Sequence, residues 1–157
     1  MSRNRNSDTL TIALTAAIVF WLDQWSKSII ARTFLPGESR MVIPNVLRWT
    51  YEQNNRGAFG LFGSNTALLI AMAMAVLVIF WFSFREAARQ SLLVRIAFGM
   101  IVGGAVGNIV DRLHHQYVID FIDFYRIWPN IFNVADACIT TGVILLILAS
   151  FASRHRS

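Results

Sequence analysis

Charged residues and cysteine are scarce in this sequence. Only 15% of the 157 residues are charged, whereas 55% are hydrophobic, and the mean hydropathy is +0.51. A soluble protein of this size needs a more polar surface, so the composition argues against a soluble domain and favours a membrane protein. The single cysteine, Cys138, excludes an internal disulfide bond.

Basic residues outnumber acidic ones, but they do not form a cluster. The formal net charge is +5, and no run rich in lysine or arginine is present. We therefore expect no nucleic acid partner. Scattered basic residues suit the anionic headgroups of membrane lipid, which we expect to be a partner.

Four apolar segments are long enough to cross a bilayer, which requires ~20 mostly apolar residues. They cover about residues 10–30, 66–84, 92–110 and 133–153. The first segment continues into Asp23 and Lys27 without a small-residue cleavage site, so we predict a retained helix and not a removed signal peptide. The sequence thus predicts an all-α membrane protein with four transmembrane helices, in one integral membrane domain over residues 1–157.

The segment of about residues 33–65, between the first two predicted helices, has a different composition. It contains "RMVIPNVLRWTYEQNN", which is rich in β-branched and aromatic residues, and Pro44 and Asn45 signal a turn. These features predict a small β-sheet platform between helices 1 and 2. The platform should lie at the membrane surface, because an open sheet edge is not stable in hydrocarbon.

The distribution of arginine indicates how the chain crosses the membrane. Four spans place both termini on one side, together with the short loop between the second and third spans. That side carries seven arginines, which are Arg3, Arg5, Arg85, Arg89, Arg95, Arg154 and Arg156. Six arginines lie on the other side, but short loops and tails weigh most in the positive-inside rule. We therefore expect cytoplasmic termini and an extracytoplasmic β-sheet platform.

Two spacing patterns indicate how the helices pack. Asp23 and Lys27 are four residues apart, so they share one helix face and can form an ion pair directed away from lipid. Gly99, Gly103 and Gly107 also repeat every four residues. Such a stripe of small residues lets helix backbones approach closely, so the third helix should contact its neighbours tightly.

Four aspartates lie between residues 106 and 142, in "VGNIVDRLHHQYVIDFIDFYRIWPNIFNVADACITTG". Asn108 and Asp111 are one helical turn apart, and Arg112 is adjacent to Asp111. A guanidinium group can hold a carboxylate with two parallel hydrogen bonds. This arrangement predicts a structural Asp111–Arg112 pair at the end of the third helix.

The other aspartates of this segment predict a catalytic pair. Asp120 and Asp123 both lie among aromatic and β-branched residues, which raise the pKa of a carboxyl group, and the residues alone do not separate the two. Asn133 and Asp136 open the fourth helix, as an N-cap residue and a first-turn acid. A protonated carboxyl group and an ionised one, brought together, would supply the general acid and general base of an aspartic hydrolase.

Other chemistries fit the sequence less well. Ser64 and Ser91 lack a nucleophile-elbow motif, and His114 and His115 are adjacent, which is not a metal-ligand spacing. Paired carboxylates could bind Mg²⁺, but the repeated acidic spacing of membrane phosphotransferases is not present, so we expect no metal and no cofactor. The alternative is a small non-enzymatic membrane transport or assembly protein. The position of the aspartates at span ends, away from mid-membrane, argues against transport.

Taken in order, the motifs resemble those of the lipoprotein signal peptidase (signal peptidase II) family over nearly the whole chain. The matching segments are "LDQWSK", "GGAVGNIVDR", "VIDF" and "FNVADACITTG". The resemblance implies an intramembrane aspartyl endopeptidase of the bacterial inner membrane. Such an enzyme removes the signal peptide from diacylglyceryl-modified prolipoproteins by cutting before the lipidated cysteine, and globomycin-type inhibitors occupy its site. We expect a monomer.

The resemblance also implies roles for individual residues. Asp120 and Asp136 would be the catalytic pair, and Asp123 falls outside the motif. Residues that would support the site or bind substrate are Asp23, Lys27, Asn54, Asn108, Asp111, Arg112 and Asn133. One departure occurs in "NNRGAFG", where the family usually has Asn-x-Gly-x-Ala-Phe.

The departure concerns Arg56. Either Asn54 is the motif asparagine and Arg56 replaces the family glycine, or Asn55 is that asparagine and one position is deleted. The spacing to Ala58 and Phe59 favours Asn54. Glycine permits a positive φ and a close backbone approach, which arginine does not, so Arg56 is a candidate substrate-site residue.

Overall fold

The computed structural model describes residues 5–56 and 65–154, as four helices and a three-stranded sheet. The helices are α1 (Arg5–Thr33), α2 (Thr66–Gln90), α3 (Leu92–His115) and α4 (Val134–Arg154). The strands are β1 (Ser39–Ile43), β2 (Leu47–Asn54) and β3 (Val118–Asp123). The predicted helical architecture is confirmed. Part of the predicted β-rich segment, residues 57–64, lies outside the described residues, as do Arg3 and Arg156.

Three of the described helices, α2, α3 and α4, are long and apolar enough to cross a membrane. Large apolar side chains are exposed along them, as at Phe82 on α2 and Phe151 on α4. An apolar surface of this extent marks contact with lipid or a partner and is not stable in water. The fourth helix, α1, has 29 residues but contains charged residues within its length.

The boundaries of α2 and α3 follow from side chains that cap them. The Asn65 side chain accepts a hydrogen bond from the backbone N–H of Leu68 (3.0 Å), which starts α2. Ser91 ends α2 and caps α3 by accepting from the backbone N–H of Val94 (3.4 Å). The segment that the sequence suggested as a linker, residues 85–91, is therefore helical except for Ser91. A single residue between the helices makes α2 and α3 neighbours in space.

Helix α3 lies at the centre of the bundle and packs against each of the other three helices. A Cβ atom on Gly103 would lie 2.5 Å from the carbonyl oxygen of Ala16 on α1. A Cβ atom on Gly104 would lie 2.6 Å from the carbonyl oxygen of Ala135 on α4. The two neighbouring helices are thus in backbone contact with opposite sides of α3, and the predicted role of the small-residue stripe is confirmed.

The sheet is antiparallel with the order β1-β2-β3, so two of its strands come from the segment between α1 and α2. The third strand follows α3 and was not predicted. The prediction that the platform is built only from the segment between helices 1 and 2 is therefore wrong. Its residues Ile119 and Phe121 pack with Tyr51 of β2 and with Ile30 and Phe34 at the end of α1. This apolar cluster attaches the sheet to the bundle and fixes the position of β3 beside the helices.

Candidate functional site

Asp120 on β3 and Asp136 in the first turn of α4 are each held by asparagine side chains. The Asp120 carboxyl group is 2% exposed and accepts hydrogen bonds from Asn54 Nδ2 (2.8 Å) and Asn133 Nδ2 (2.6 Å). Asp136 Oδ1 accepts a hydrogen bond from Asn108 Nδ2 (2.8 Å). Both carboxyl groups therefore have uncharged side-chain donors as partners.

Asn133 links the start of α4 to the Asp120 carboxyl group. Its Oδ1 accepts from the backbone N–H of Asp136 (2.9 Å), and its own backbone N–H donates to Asp136 Oδ2 (3.4 Å). This reciprocal arrangement is a capping box, so the predicted N-cap role is confirmed. The Nδ2 atom remains available and donates to Asp120 and to Asn108 Oδ1 (3.2 Å). The helix cap thereby also orients the site.

Burial shifts the titration of Asp120. Loss of solvent raises the pKa of this carboxyl group to about 8, and the nearby Asp136 charge acts in the same direction. Hydrogen bonds from Asn54 and Asn133 oppose the shift but are the smaller effects. Asp120 is therefore protonated at neutral pH, which agrees with the effect expected from its apolar neighbours.

Lys27 is the centre of a second buried group. Its Nζ atom lies 2.7 Å from Asp23 Oδ2, 2.9 Å from Asp111 Oδ2 and 3.0 Å from Asn108 Oδ1. These three acceptors match the three N–H donors of an ammonium group. The predicted Asp23–Lys27 ion pair is confirmed, and it is extended by Asp111. Asn108 connects this group to Asp136, to which its amide nitrogen donates.

Asp23 joins three helices at this point. Its Oδ1 atom accepts a hydrogen bond from the backbone N–H of Ala135 (2.9 Å) in the first turn of α4. Its other oxygen packs against Gly107 of α3, where an added Cβ atom would lie only 2.5 Å away. Because Asp136 follows Ala135 directly, the contact with Asp23 also helps to fix the position of Asp136.

The predicted Asp111–Arg112 pair is wrong. Asp111 instead accepts hydrogen bonds from Lys27 and from Gln24 Nε2 (2.9 Å). Arg112 Nη1 donates to the backbone oxygen of Asn108 (3.3 Å), and among the described residues no ion pair involves Arg112. Adjacent residues of a helix point in different directions, which explains the difference. Gln24 was not identified from the sequence, since a lone glutamine on an apolar helix has no distinctive pattern.

The structure separates Asp123 from Asp120. The Asp123 carboxylate accepts hydrogen bonds from Arg48 Nε (2.5 Å) and Thr50 Oγ1 (3.0 Å), both on β2. Asp123 is thus bonded to a guanidinium group, whereas Asp120 is bonded to amides. Arg48 and Thr50 were missed from the sequence, although their spacing of two residues places them on one face of a strand.

Only the first part of the motif around Arg56 lies within the described residues. The backbone N–H of Arg56 donates to Asn54 Oδ1 (3.1 Å), which helps to direct Asn54 Nδ2 towards Asp120. The Arg56 side chain is exposed. Residues 57–59, which complete the motif, lie outside the described residues, so a substrate contact by Arg56 stays a prediction.

Metal-ligating side chains do not converge in the described part of the chain. In residues 5–56 and 65–154, no group of three or more His, Cys, Asp or Glu side chains is placed to hold a metal ion. His115 stacks on Tyr117, with ring centroids 5.6 Å apart.

Comparison with known proteins assigns the chain to a family. Residues 15–152 match the family described as signal peptidase (SPase) II. The lipoprotein signal peptidase of Moorella thermoacetica is 40% identical over 133 residues, which cover 85% of this chain and 87% of that protein. The corresponding protein of Fusobacterium nucleatum is 39% identical over 143 residues, which cover 90% and 86%. A solved bacterial membrane enzyme superposes with a TM-score of 0.84 at 34% identity, covering 94% of this chain and 91% of that one. The chain belongs to the signal peptidase II family.

Proposed function

We propose that the protein is an aspartyl endopeptidase that removes signal peptides from prolipoproteins. The observation that carries the proposal is that two carboxyl groups from different elements lie near each other, Asp120 on β3 and Asp136 at the start of α4. One of them, Asp120, is protonated at neutral pH because its pKa is raised to about 8. The two relatives described above are lipoprotein signal peptidases, which supports the same function.

The two carboxyl groups have complementary roles in the proposed reaction. Asp136 acts as the general base and takes a proton from a water molecule as that water attacks the scissile carbonyl carbon. Asp120 acts as the general acid and donates its proton to the leaving amine nitrogen. After the C–N bond breaks, the pair again holds one proton, now on Asp136. Transfer of this proton back to Asp120 restores the starting state.

The surrounding residues hold this pair in place. Asn54, Asn108 and Asn133 bond to the catalytic carboxyl groups directly. The Lys27 group acts one step further away, by fixing the ends of α1, α3 and α4. Arg112 interacts electrostatically with both Asp120 and Asp136. We therefore assign Arg112 to the substrate side of the site, together with Arg56.

The membrane arrangement is part of the proposal. The chain would form one integral domain that crosses the bacterial inner membrane four times, with α1 as the additional span. Both termini would be cytoplasmic, and the sheet and the catalytic pair would lie near the outer face. The position of the pair near the outer face is supported by its location, because Asp120 and Asp136 lie beside the C-terminal end of α3 and the N-terminal end of α4. A reporter fused after Ser157 that is active only when exported would contradict this topology.

The proposed substrates are precursors that carry a diacylglyceryl group on the cysteine after the scissile bond. The enzyme would act as a monomer in membrane lipid, and globomycin-type inhibitors would compete with the precursor. The decisive experiment incubates purified protein with a lipidated precursor peptide and identifies the products by mass spectrometry. Cleavage directly before the modified cysteine is expected, and Asp136→Asn is the inactive control. Absence of cleavage by the folded wild-type protein would favour a non-enzymatic membrane protein instead.

A further inference from the structure

A cavity of about 470 Å³ lies on the sheet, beyond the catalytic pair. It is formed by β2, the end of β3 and the segment of residues 124–131, which connects β3 to α4. Side chains that line it include Arg48, Glu52, Asp123, Tyr125, Arg126 and Trp128. Among the described residues, none from the four helices lines it, and the proposed mechanism does not use it.

The cavity lining extends along β2 to Glu52, the residue paired with Asp120. In the pairing of β2 with β3, Glu52 lies opposite Asp120, and Arg48 lies opposite Asp123. The three-residue step from Asp120 to Asp123 corresponds to about 10 Å at ~3.3 Å per residue of a strand. An extended peptide that runs along β3 from the scissile bond would therefore reach the far end of the cavity after about three residues.

The position of the cavity indicates which part of a precursor it can hold. A signal peptide is apolar in its centre and suits the exposed apolar surfaces of the helices. The cavity is lined by Tyr125, Ile127, Trp128, Pro129 and Ile131 together with four charged side chains. The charged side chains suit the polar polypeptide that follows the lipidated cysteine.

Charge is distributed unevenly along the cavity. At its far end the Tyr125 ring contacts two guanidinium groups, with Arg48 Cζ 4.4 Å and Arg126 Cζ 5.0 Å from the ring centroid. Asp123 neutralises Arg48. Arg126 is exposed, and none of the ion pairs among the described residues includes it. The far end therefore presents a positive charge, whereas the exposed Glu52 places a negative charge at the near end.

The backbone holds Arg126 in this place. Its φ angle is 63°, in the left-handed region that residues other than glycine seldom adopt. Such conformations persist where the surrounding structure determines them, and they collect at ligand-binding positions. The conformation places the Arg126 guanidinium over the Tyr125 ring.

We propose that this cavity is a subsite for the polypeptide after the lipidated cysteine, and that it favours an acidic side chain over a basic one about three residues beyond the scissile bond. This inference rests on the proposed function. Arg126 is the specificity-determining residue, and the Tyr125 ring holds its charge in position.

The test uses three lipidated precursor peptides that differ at one residue, the third after the scissile bond, which is Asp, Asn or Lys. For the wild-type protein in neutral detergent, kcat/KM should decrease from Asp to Asn to Lys, with about a fivefold total difference, the size expected for an exposed ion pair. Arg126→Glu should invert the order, and Arg126→Gln should remove the preference. High salt should reduce the preference because the charges are exposed.

Arg40→Glu is the matched control, since Arg40 is an exposed arginine of the sheet outside the cavity lining. It should keep the wild-type order, and the melting temperature of each variant shows that it is folded. An equal rate for all three peptides, or the same inversion in Arg40→Glu, would overturn the subsite. Failure of the wild-type protein to cleave any peptide would instead overturn the proposed function, so the two failures are distinguishable.

Discussion

Two groups of carboxyl groups lie side by side in this protein, and their partners differ. Asp120 and Asp136 accept side-chain hydrogen bonds from asparagine amides. Asp23 and Asp111 share the ammonium group of Lys27. A cation stabilises the ionised form of a carboxyl group strongly, whereas a neutral donor orients the group with a smaller effect on its charge. The amide-bonded pair can therefore exchange protons, while the cation-bonded pair serves to hold the helices together.

Asn108 lies between the two groups and forms hydrogen bonds to both. Its Oδ1 atom accepts from Lys27, and its Nδ2 atom donates to Asp136. The positive charge is thus kept one side chain away from Asp136, the proposed general base, while Asn108 connects that carboxyl group to the Lys27 group. This comparison predicts that substitutions in the first group remove activity without loss of stability. Substitutions in the second group should instead reduce stability first.

The largest effect on activity is expected from the catalytic pair. Asp120→Asn and Asp136→Asn should each reduce cleavage by about 10³-fold or more, which is within the range of lost general acid–base catalysis. Asparagine retains the shape and the hydrogen-bonding capacity but cannot transfer the proton. The measurement is cleavage of a lipidated precursor by each purified variant, with its melting temperature. Near wild-type cleavage by either variant would refute the aspartyl mechanism.

The largest effect on stability is expected from Lys27. Lys27→Met leaves two buried carboxylates without their cation, and removal of one partner of a buried charge pair costs ~3–5 kcal/mol. A large decrease in melting temperature and in yield from detergent extracts is expected. Adding Asp23→Asn and Asp111→Asn to Lys27→Met should restore part of the stability, because no unpaired charge remains. A triple variant no more stable than the single one would show that the pairing is not the cause.

The pH dependence of cleavage should report the raised pKa of Asp120. This group is protonated below about pH 8 and ionised above it. Activity that needs its proton should therefore fall as pH rises through about 8. Since the pKa of an unperturbed Asp is 3.8, the folded state holds a proton that the unfolded chain releases. The contribution of Asp120 to stability is thus present at low pH and decreases as pH rises from about 4 to 8.

Two variants test the assignment of this titration. Asp120→Asn should reduce the change in melting temperature between about pH 4 and 8. Asp123→Asn should keep the midpoint of the activity profile, because Asp123 is bonded to Arg48 and not to the catalytic pair. A midpoint that moves in Asp123→Asn would show that the titrating group is Asp123 and not Asp120.

The smallest effect is expected from Asp123 itself. Asp123→Asn removes an ion pair between a 31% exposed arginine and a 7% exposed carboxylate, so the stability loss should lie between about 0–1 kcal/mol for an exposed pair and ~3–5 kcal/mol for a buried one. Cleavage should stay within about tenfold of the wild-type rate, since the variant leaves general acid–base catalysis intact. An inactive Asp123→Asn together with an active Asp120→Asn would reverse the assignment of the two aspartates.

Local patterns were sufficient for the helices and for much of the site. Helices need only contacts between residues a few positions apart, so their number and approximate ends could be read from runs of apolar residues. The Asn133 cap and the Asp23–Lys27 pair follow from spacings of three and four residues. The glycine stripe indicated close helix packing for the same reason.

The sequence by itself therefore determined four helices, a strand-forming segment and the residue types of an aspartic site. Only the tertiary structure decided that β3 joins the sheet, that Asp111 pairs with Lys27 and not with Arg112, and that Asp123 bonds to Arg48. Each of these contacts joins residues far apart in the chain, such as Arg48 and Asp123, which are 75 positions apart. The register of β3 against β2 decides which of two similar aspartates faces an amide and which faces a guanidinium. That choice depends on packing between distant segments, and a short window of sequence does not contain it.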